Sequence, residues 1–351
     1  MRWTVFCRVV DNFGDIGFAW RLAADLGRRG EDVRLAVDDA SALAWMAPNG
    51  SRHVELGTWA DGARADAEVW VETFGCGFPA PASVPTPRRV RINVEHLSAE
   101  AYIDRSHGRP SPQFDATGEP QPVWFFFPGF SDRSGGLIQE PGLFEQHRRF
   151  GDGRDWLRAL GIERRHDERC VSLFCYSNPA LSSCLDTLDD MPTLLLLTPG
   201  FAAEQAAALL GPQLQRRHLR AVRLPALSQT DFDRLLWSCD LNFVRGEDSL
   251  VRALWAAVPF VWQLYPQDDG AHAAKLEAFM ACFLEGDAPL SAELSRLFAI
   301  WNGLAPASGL RSDFAKLDAE GWARQCRRFR ERHAGRLDLT SALLDFVVLK
   351  R

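Results

Sequence analysis

Two carboxylates, Asp11 and Asp15, enclose Asn12 and Gly14 in the segment DNFGDIG, directly after the apolar run Trp3–Val10. A carboxylate at a strand end can accept a proton or hold a cation, and glycine lets a ligand approach the backbone closely. A plainer chemistry is also open: Asp11 making an Asx turn and Asp15 capping a helix that starts at Ile16. On these residues alone capping is the stronger reading. A second group stands in RGEDSLVRALWAAVP (245–259), where Arg245, Gly246, Glu247, Asp248 and Ser249 separate a strand-like run from an amphipathic one. A helix start there offers free N–H groups and a positive dipole end to a diphosphate, with Glu247 in reach of sugar hydroxyls. An ordinary cap with acidic first-turn residues is the alternative. The Arg-Gly pair ahead of it tilts towards an anion site.

Three weaker groups accompany these. Tyr265, Gln267 and Asp268 of YPQDDGAH put a phenol, an amide and a carboxylate on a neighbouring loop, or simply form a helix-starting turn. Phe174 and Tyr176 alternate at a strand end and so share a face, where they can flank a base or fill a core. Asp231-Phe232-Asp233 spells a DxD metal motif, but it opens an amphipathic helix and reads as capping.

The elements that must position these residues follow a strand–helix rhythm. The first half reads as strands Trp3–Val10, Val33–Val37, Ala67–Glu72, Val90–Val94 and Val123–Phe127, with a helix from Ile16 to Gly30. Residues 128–150 are rich in Gly, Pro and Ser and read as a linker, with a domain boundary near 152. The rhythm restarts with strands Val171–Tyr176, Thr193–Thr198, Leu219–Leu224, Leu241–Val244 and Phe260–Leu264, and ends in helices Gly321–His333 and Leu339–Leu349. The pattern predicts an α/β protein of two doubly wound, Rossmann-like domains, 1–152 and 153–335, facing a cleft, with the helix at 336–351 able to return to the first. In such sheets ligands sit beyond the carboxyl ends of the strands, where DNFGDIG and RGEDS both lie.

Composition removes several classes. The 351 residues are 46% hydrophobic and 25% charged, with a formal net charge of −6, which suits globular domains and not a phosphate-gripping nucleic-acid binder. No apolar run approaches a membrane span, since Trp255–Tyr265 is short and broken by Pro259. Arg2, Arg8 and Asp11 interrupt the start, so no export signal is read there. The eight cysteines form no CxxC pair and the eight histidines no HExxH, so reduced thiols, a cytosolic setting and no metal are expected. With neither GxGxxG nor a GxxxxGK[ST] loop, a nicotinamide dehydrogenase or P-loop enzyme is disfavoured.

Together FCRVVDNFGDIGFAWRLA, GFSDRSGGLI and RGEDSLVRALWAAVPFVWQLYPQDD resemble the bacterial protein-arginine rhamnosyltransferases of translation elongation factor P, over nearly the whole chain. The resemblance implies a GT-B fold, no metal or cofactor, and inverting transfer of L-rhamnose from TDP-β-L-rhamnose to an arginine of elongation factor P. It makes Asp15 the catalytic base, with Asp11 supporting the loop or the acceptor, and adds Asn12 and Gly14 to the donor side. It assigns Phe174 and Tyr176 to the donor site, Gln229 and Phe232 to the thymine, and Arg245, Glu247, Asp248 and Ser249 to ribose and diphosphate. Tyr265 falls near the leaving phosphate, and Gln267 joins the donor set. In one departure, Pro225-Ala226 stands where the family pattern reads Pro-Phe, which leaves stacking on thymine to Phe174 and Phe232. Another GT-B nucleotide-sugar enzyme, or a non-catalytic two-domain sugar- or nucleotide-binding protein, is the alternative.

Overall fold

The computed structural model describes residues 1–10, 13–79, 89–114, 118–267, 270–285 and 288–351; Asp11, Asn12 and Asp268 lie outside the described residues. The chain divides into two compact units, Met1–Pro141 with His333–Arg351, and Gly142–Arg332.

The first unit is built on β1 (Arg2–Cys7), β2 (Asp32–Val37), β3 (Val54–Gly57), β4 (Val69–Thr73), β5 (Val90–Val94), β6 (Pro110–Ser111) and β7 (Val123–Phe126). They form one sheet in the order β3-β2-β1-β4-β5-β7-β6, parallel except for β6 against β7. β1 sits near the middle and is buried from Trp3 to Cys7, as a strand covered on both faces must be. The chain winds outward through β2 and β3, then returns to place β4 on the other side of β1. In doubly wound sheets ligands bind beyond the strand ends at such a reversal.

Two expectations shift. β1 ends at Cys7, where its ladder with β2 ends at Val37, and Val10 is 82% exposed instead of closing the strand. β3 and β6 went unread because β3 buries no residue fully and β6 has only two residues.

The last helix, Leu339–Lys350, belongs to this unit. Asp338 caps it by accepting from Thr340 and Ser341 N–H, and also binds Arg29, which in turn holds the fully buried Asp25. Phe346 then packs against His107, Trp124 and Phe126. Leu337 crosses so close to Gly136 (φ +73°) that a Cβ there would lie 2.5 Å from its carbonyl oxygen. The SGGLI motif therefore serves chain packing, since only glycine fits that approach.

The second unit carries β8 (Arg169–Leu173), β9 (Thr193–Leu197), β10 (Leu219–Arg223), β11 (Leu241–Arg245) and β12 (Phe260–Gln263), all parallel in the order β10-β9-β8-β11-β12. It is doubly wound like the first, and its reversal falls between β8 and β11. β9, TLLLL, is buried at every position. The expected linker contains a helix, Leu143–Phe150, because its Gly/Pro-rich part stops at Gly142. Phe144 meets Trp255, and His147 and Phe150 meet Trp237, which assigns this segment to the second unit and draws the division before 152. The arginine-rich helix Ala319–Ala334 buries its Trp322, Cys326, Phe329 and His333 stripe. All eight cysteines are free thiols. Among the described residues no helix is long and apolar enough to cross a membrane.

Candidate functional site

The switch point of the second sheet gathers most of the residues singled out above. β8 ends at Leu173, and Phe174 continues its alignment by donating its N–H to Phe243 of β11 (3.0 Å). Cys175 and Tyr176 are buried, and Phe174 is half-buried. From the adjacent end of β11, Arg245 lays its guanidinium over both rings, 4.3 Å from the Tyr176 centroid and 4.6 Å from Phe174, with Phe201 at 5.9 Å. Its Nη1 is buried and has no hydrogen-bond partner among the described residues. A planar cation held by aromatic faces with an unused donor is a ready anion ligand.

The following helix runs over Gly246–Ala256. Its N-cap is Arg245, whose side chain makes no capping bond, so the expected alternative of an ordinary Asp or Ser cap does not hold. Gly246 takes φ +67°, which reverses the chain between strand and helix, and its carbonyl accepts from Trp262 Nε1 (2.8 Å). Glu247 and Asp248 occupy the first turn, and Ser249 is buried behind them. Glu247 pairs with Lys275 of the helix Ala271–Phe283.

Tyr265 is 59% exposed and meets Tyr176 edge-on, with centroids 5.3 Å apart. Phe232 meets Phe174 edge-on at 5.6 Å, and Gln229 opens the same helix, Gln229–Ser238. Gln267 is exposed, and its N–H donates to His272 Nδ1 (3.3 Å); no described contact ties it to this cluster. Ala226 is exposed.

The DxD reading needs correction. Ser228 caps the helix by accepting from Asp231 N–H, so capping describes Asp231. Asp233 instead takes a two-pronged bond from Arg252, Nε to Oδ1 at 2.8 Å and Nη2 to Oδ2 at 2.7 Å, with both side chains buried. This pair ties the helix of Gln229 and Phe232 to the helix of Glu247–Ser249. Sequence reasoning missed it, and missed Gln263, whose Oε1 accepts from Tyr176 N–H (2.9 Å) and whose Nε2 donates to Ser177 O (3.3 Å). The available signals were a glutamine closing an apolar strand, and an arginine and an aspartate on buried helix faces.

In the first unit the helix begins at Gly14, not Ile16, and its N-cap is Phe13, which makes no side-chain cap bond. Asp15 is thus inside the first turn and is buried. Its Oδ2 accepts from Val10 N–H (2.8 Å), which folds the segment after β1 back over the carboxylate. The helix dipole favours negative charge there. The capping reading of Asp15 gives way to that of a buried first-turn carboxylate that accepts from Val10 N–H. Gly14 is exposed beside it.

Two doubly wound sheets, one in each unit, give the chain the GT-B glycosyltransferase fold. A spinosyn rhamnosyltransferase, SpnG, solved with thymidine diphosphate, shares this fold at 12% identity, with a TM-score of 0.56 and all of both chains covered. The chain belongs to the Elongation-Factor P (EF-P) rhamnosyltransferase EarP family, whose model matches residues 3–348. A protein-arginine rhamnosyltransferase of Pseudomonas aeruginosa is 40% identical over 98% of each chain, and one of Pseudomonas putida 38% identical over 98% of each. A solved structure described as the structural basis for EarP-mediated arginine glycosylation of translation elongation factor EF-P is 30% identical, with a TM-score of 0.71, covering 100% of this chain and 99% of that one.

Proposed function

We propose that this chain transfers L-rhamnose from TDP-β-L-rhamnose to an arginine side chain of elongation factor P in the cytosol, with inversion at the anomeric carbon. The observation that carries this reading is the Arg245 cluster: a guanidinium stacked on Phe174 and Tyr176, its Nη1 without a hydrogen-bond partner among the described residues, beside a helix start whose N-cap residue makes no side-chain cap bond. The diphosphate is met there by Arg245, by the first-turn N–H groups and by Ser249. Glu247 accepts from the ribose. Gln229, Phe174 and Phe232 take the thymine, since Ala226 has no ring to offer.

The chemistry follows from charge. A guanidinium has a pKa above 12 and is a poor nucleophile until a carboxylate offsets its charge and removes a proton. Asp15, pre-positioned by its bond from Val10 N–H, orients the acceptor, steadies the charge that grows on attack and accepts the proton. Its nitrogen forms a bond to the anomeric carbon from the face opposite the departing TDP. The C–O bond to the diphosphate breaks, and the leaving electron pair is stabilised by Arg245 and the helix dipole. One displacement of this kind inverts the centre without a covalent enzyme intermediate.

The test is TDP release from TDP-β-L-rhamnose, followed by chromatography with and without elongation factor P. Release that requires the acceptor is expected. Equal release without it would make the chain a hydrolase, and no release would leave a binding protein.

A further inference from the structure

Directly after β4 the backbone does something that aromatic residues resist: Phe74 holds φ +58°. A bulky side chain in the left-handed region is an outlier, kept only where its surroundings over-determine it, and such residues collect at functional sites. The surroundings here are specific. Phe74 N–H donates to Val94 O (2.8 Å), tying the residue to the end of β5. Its ring meets Phe18 at 5.1 Å and lies nearly parallel to His96, with centroids 4.4 Å apart and 12° between planes.

Phe18 is three residues beyond Asp15 on the helix Gly14–Arg28, and residues so spaced share a face. The carboxylate after β1 and the aromatic stack after β4 and β5 therefore stand along one edge of the sheet, at its switch point. His96 is exposed and Phe74 half-buried, so the outer ring faces outward. An exposed aromatic face stacked on a second ring suits a planar cation.

We infer that the Phe74–His96 stack is the platform on which the acceptor guanidinium lies while Asp15 engages its nitrogens. The inference rests on the arginine-transfer reading and adds the surface that receives the acceptor. A guanidinium stacks flat on a ring, whereas an ammonium has no plane to stack, so the platform also selects arginine over lysine. His96 acts here through its ring face and takes no proton.

The experiment measures transfer kinetics to elongation factor P at saturating donor for the wild type, His96→Ala and His96→Phe, with TDP calorimetry and melting temperature alongside. His96→Ala is expected to raise the acceptor KM about 3- to 30-fold, the range of one cation–ring contact, with kcat and TDP affinity nearly unchanged. His96→Phe keeps the ring and should hold KM within about threefold of the wild type. An unchanged KM in His96→Ala beside an active wild type overturns the platform alone. So does a His96→Phe variant as impaired as His96→Ala, because that result assigns the effect to imidazole hydrogen bonding. A wild type that transfers nothing overturns the arginine-transfer reading, and the platform with it.

Discussion

In the proposed mechanism Asp15 and Arg245 carry opposite charges for opposite tasks, and each makes a separable prediction. Asp15→Asn preserves an acceptor for Val10 N–H and the shape of the first turn, but removes the charge that offsets a guanidinium. Single-turnover transfer should fall roughly 10²- to 10⁴-fold, the usual cost of losing a general base, while TDP affinity and melting temperature hold. Near-normal transfer would reduce Asp15 to a helix-dipole partner. Arg245→Lys keeps the charge but loses the planar fork and the stack on Phe174 and Tyr176. TDP binding by calorimetry should weaken about 5- to 30-fold, equivalent to about 1–2 kcal/mol. Unchanged affinity would make the Arg245 stack purely structural. At this scale the sequence was informative about identity and mute about environment. RGEDS marked Arg245 as a candidate anion ligand, but nothing in the string showed Phe201 joining its rings or Gln263 holding the backbone of Tyr176. Those contacts come from residues far apart in the chain that parallel pairing brings to one edge.

Elements explain why the loops hold their shape. The helices Gln229–Ser238 and Gly246–Ala256 are joined by the buried Arg252–Asp233 pair. Arg252→Met leaves Asp233 buried without its guanidinium, a change that typically costs about 3–5 kcal/mol. A marked drop in melting temperature is expected, together with weaker TDP binding, because both donor-side helices lose their common anchor; a silent substitution would contradict that role. The helix Leu143–Phe150 gives a pH prediction. His147 stacks on Trp237 at 4.8 Å, and burial first, then the nearby Arg330, pull its pKa down from 6.5 to about 4. Above pH 6.5 the imidazole is neutral whether folded or not. As pH falls from 6.5 to about 4 the unfolded chain takes up the proton first, so stability is lost through that window. Denaturant titrations should show His147→Gln losing less stability than the wild type between pH 6.5 and 4; parallel profiles would exclude His147 as the cause. This helix was read as linker because glycine and proline dominate up to Gly142, and its short apolar stripe shows its meaning only once Trp237 and Trp255 lie beneath it. β3 and β6 were illegible for a related reason: a short edge strand buries too little to impose a pattern on its residues.

At the scale of the whole molecule, the βα rhythm and the apolar runs of the central strands made both doubly wound units readable, since strands covered on two faces must be apolar throughout. The return of the helix at 336–351 to the first unit was expected, but the distant polar contacts that hold it, Asp338 with Arg29 and Arg351 with Glu68, no periodicity reveals. In the proposed reading the second unit binds the nucleotide diphosphate and the first supplies the carboxylate for a cationic acceptor. The most direct measurement is the intact mass of elongation factor P after incubation with this protein and TDP-β-L-rhamnose, with fragmentation to locate the change. A gain of one deoxyhexose on an arginine is expected, abolished in Asp15→Asn. An unmodified mass with folded, TDP-binding protein, or a sugar on any residue other than arginine, would contradict the assignment.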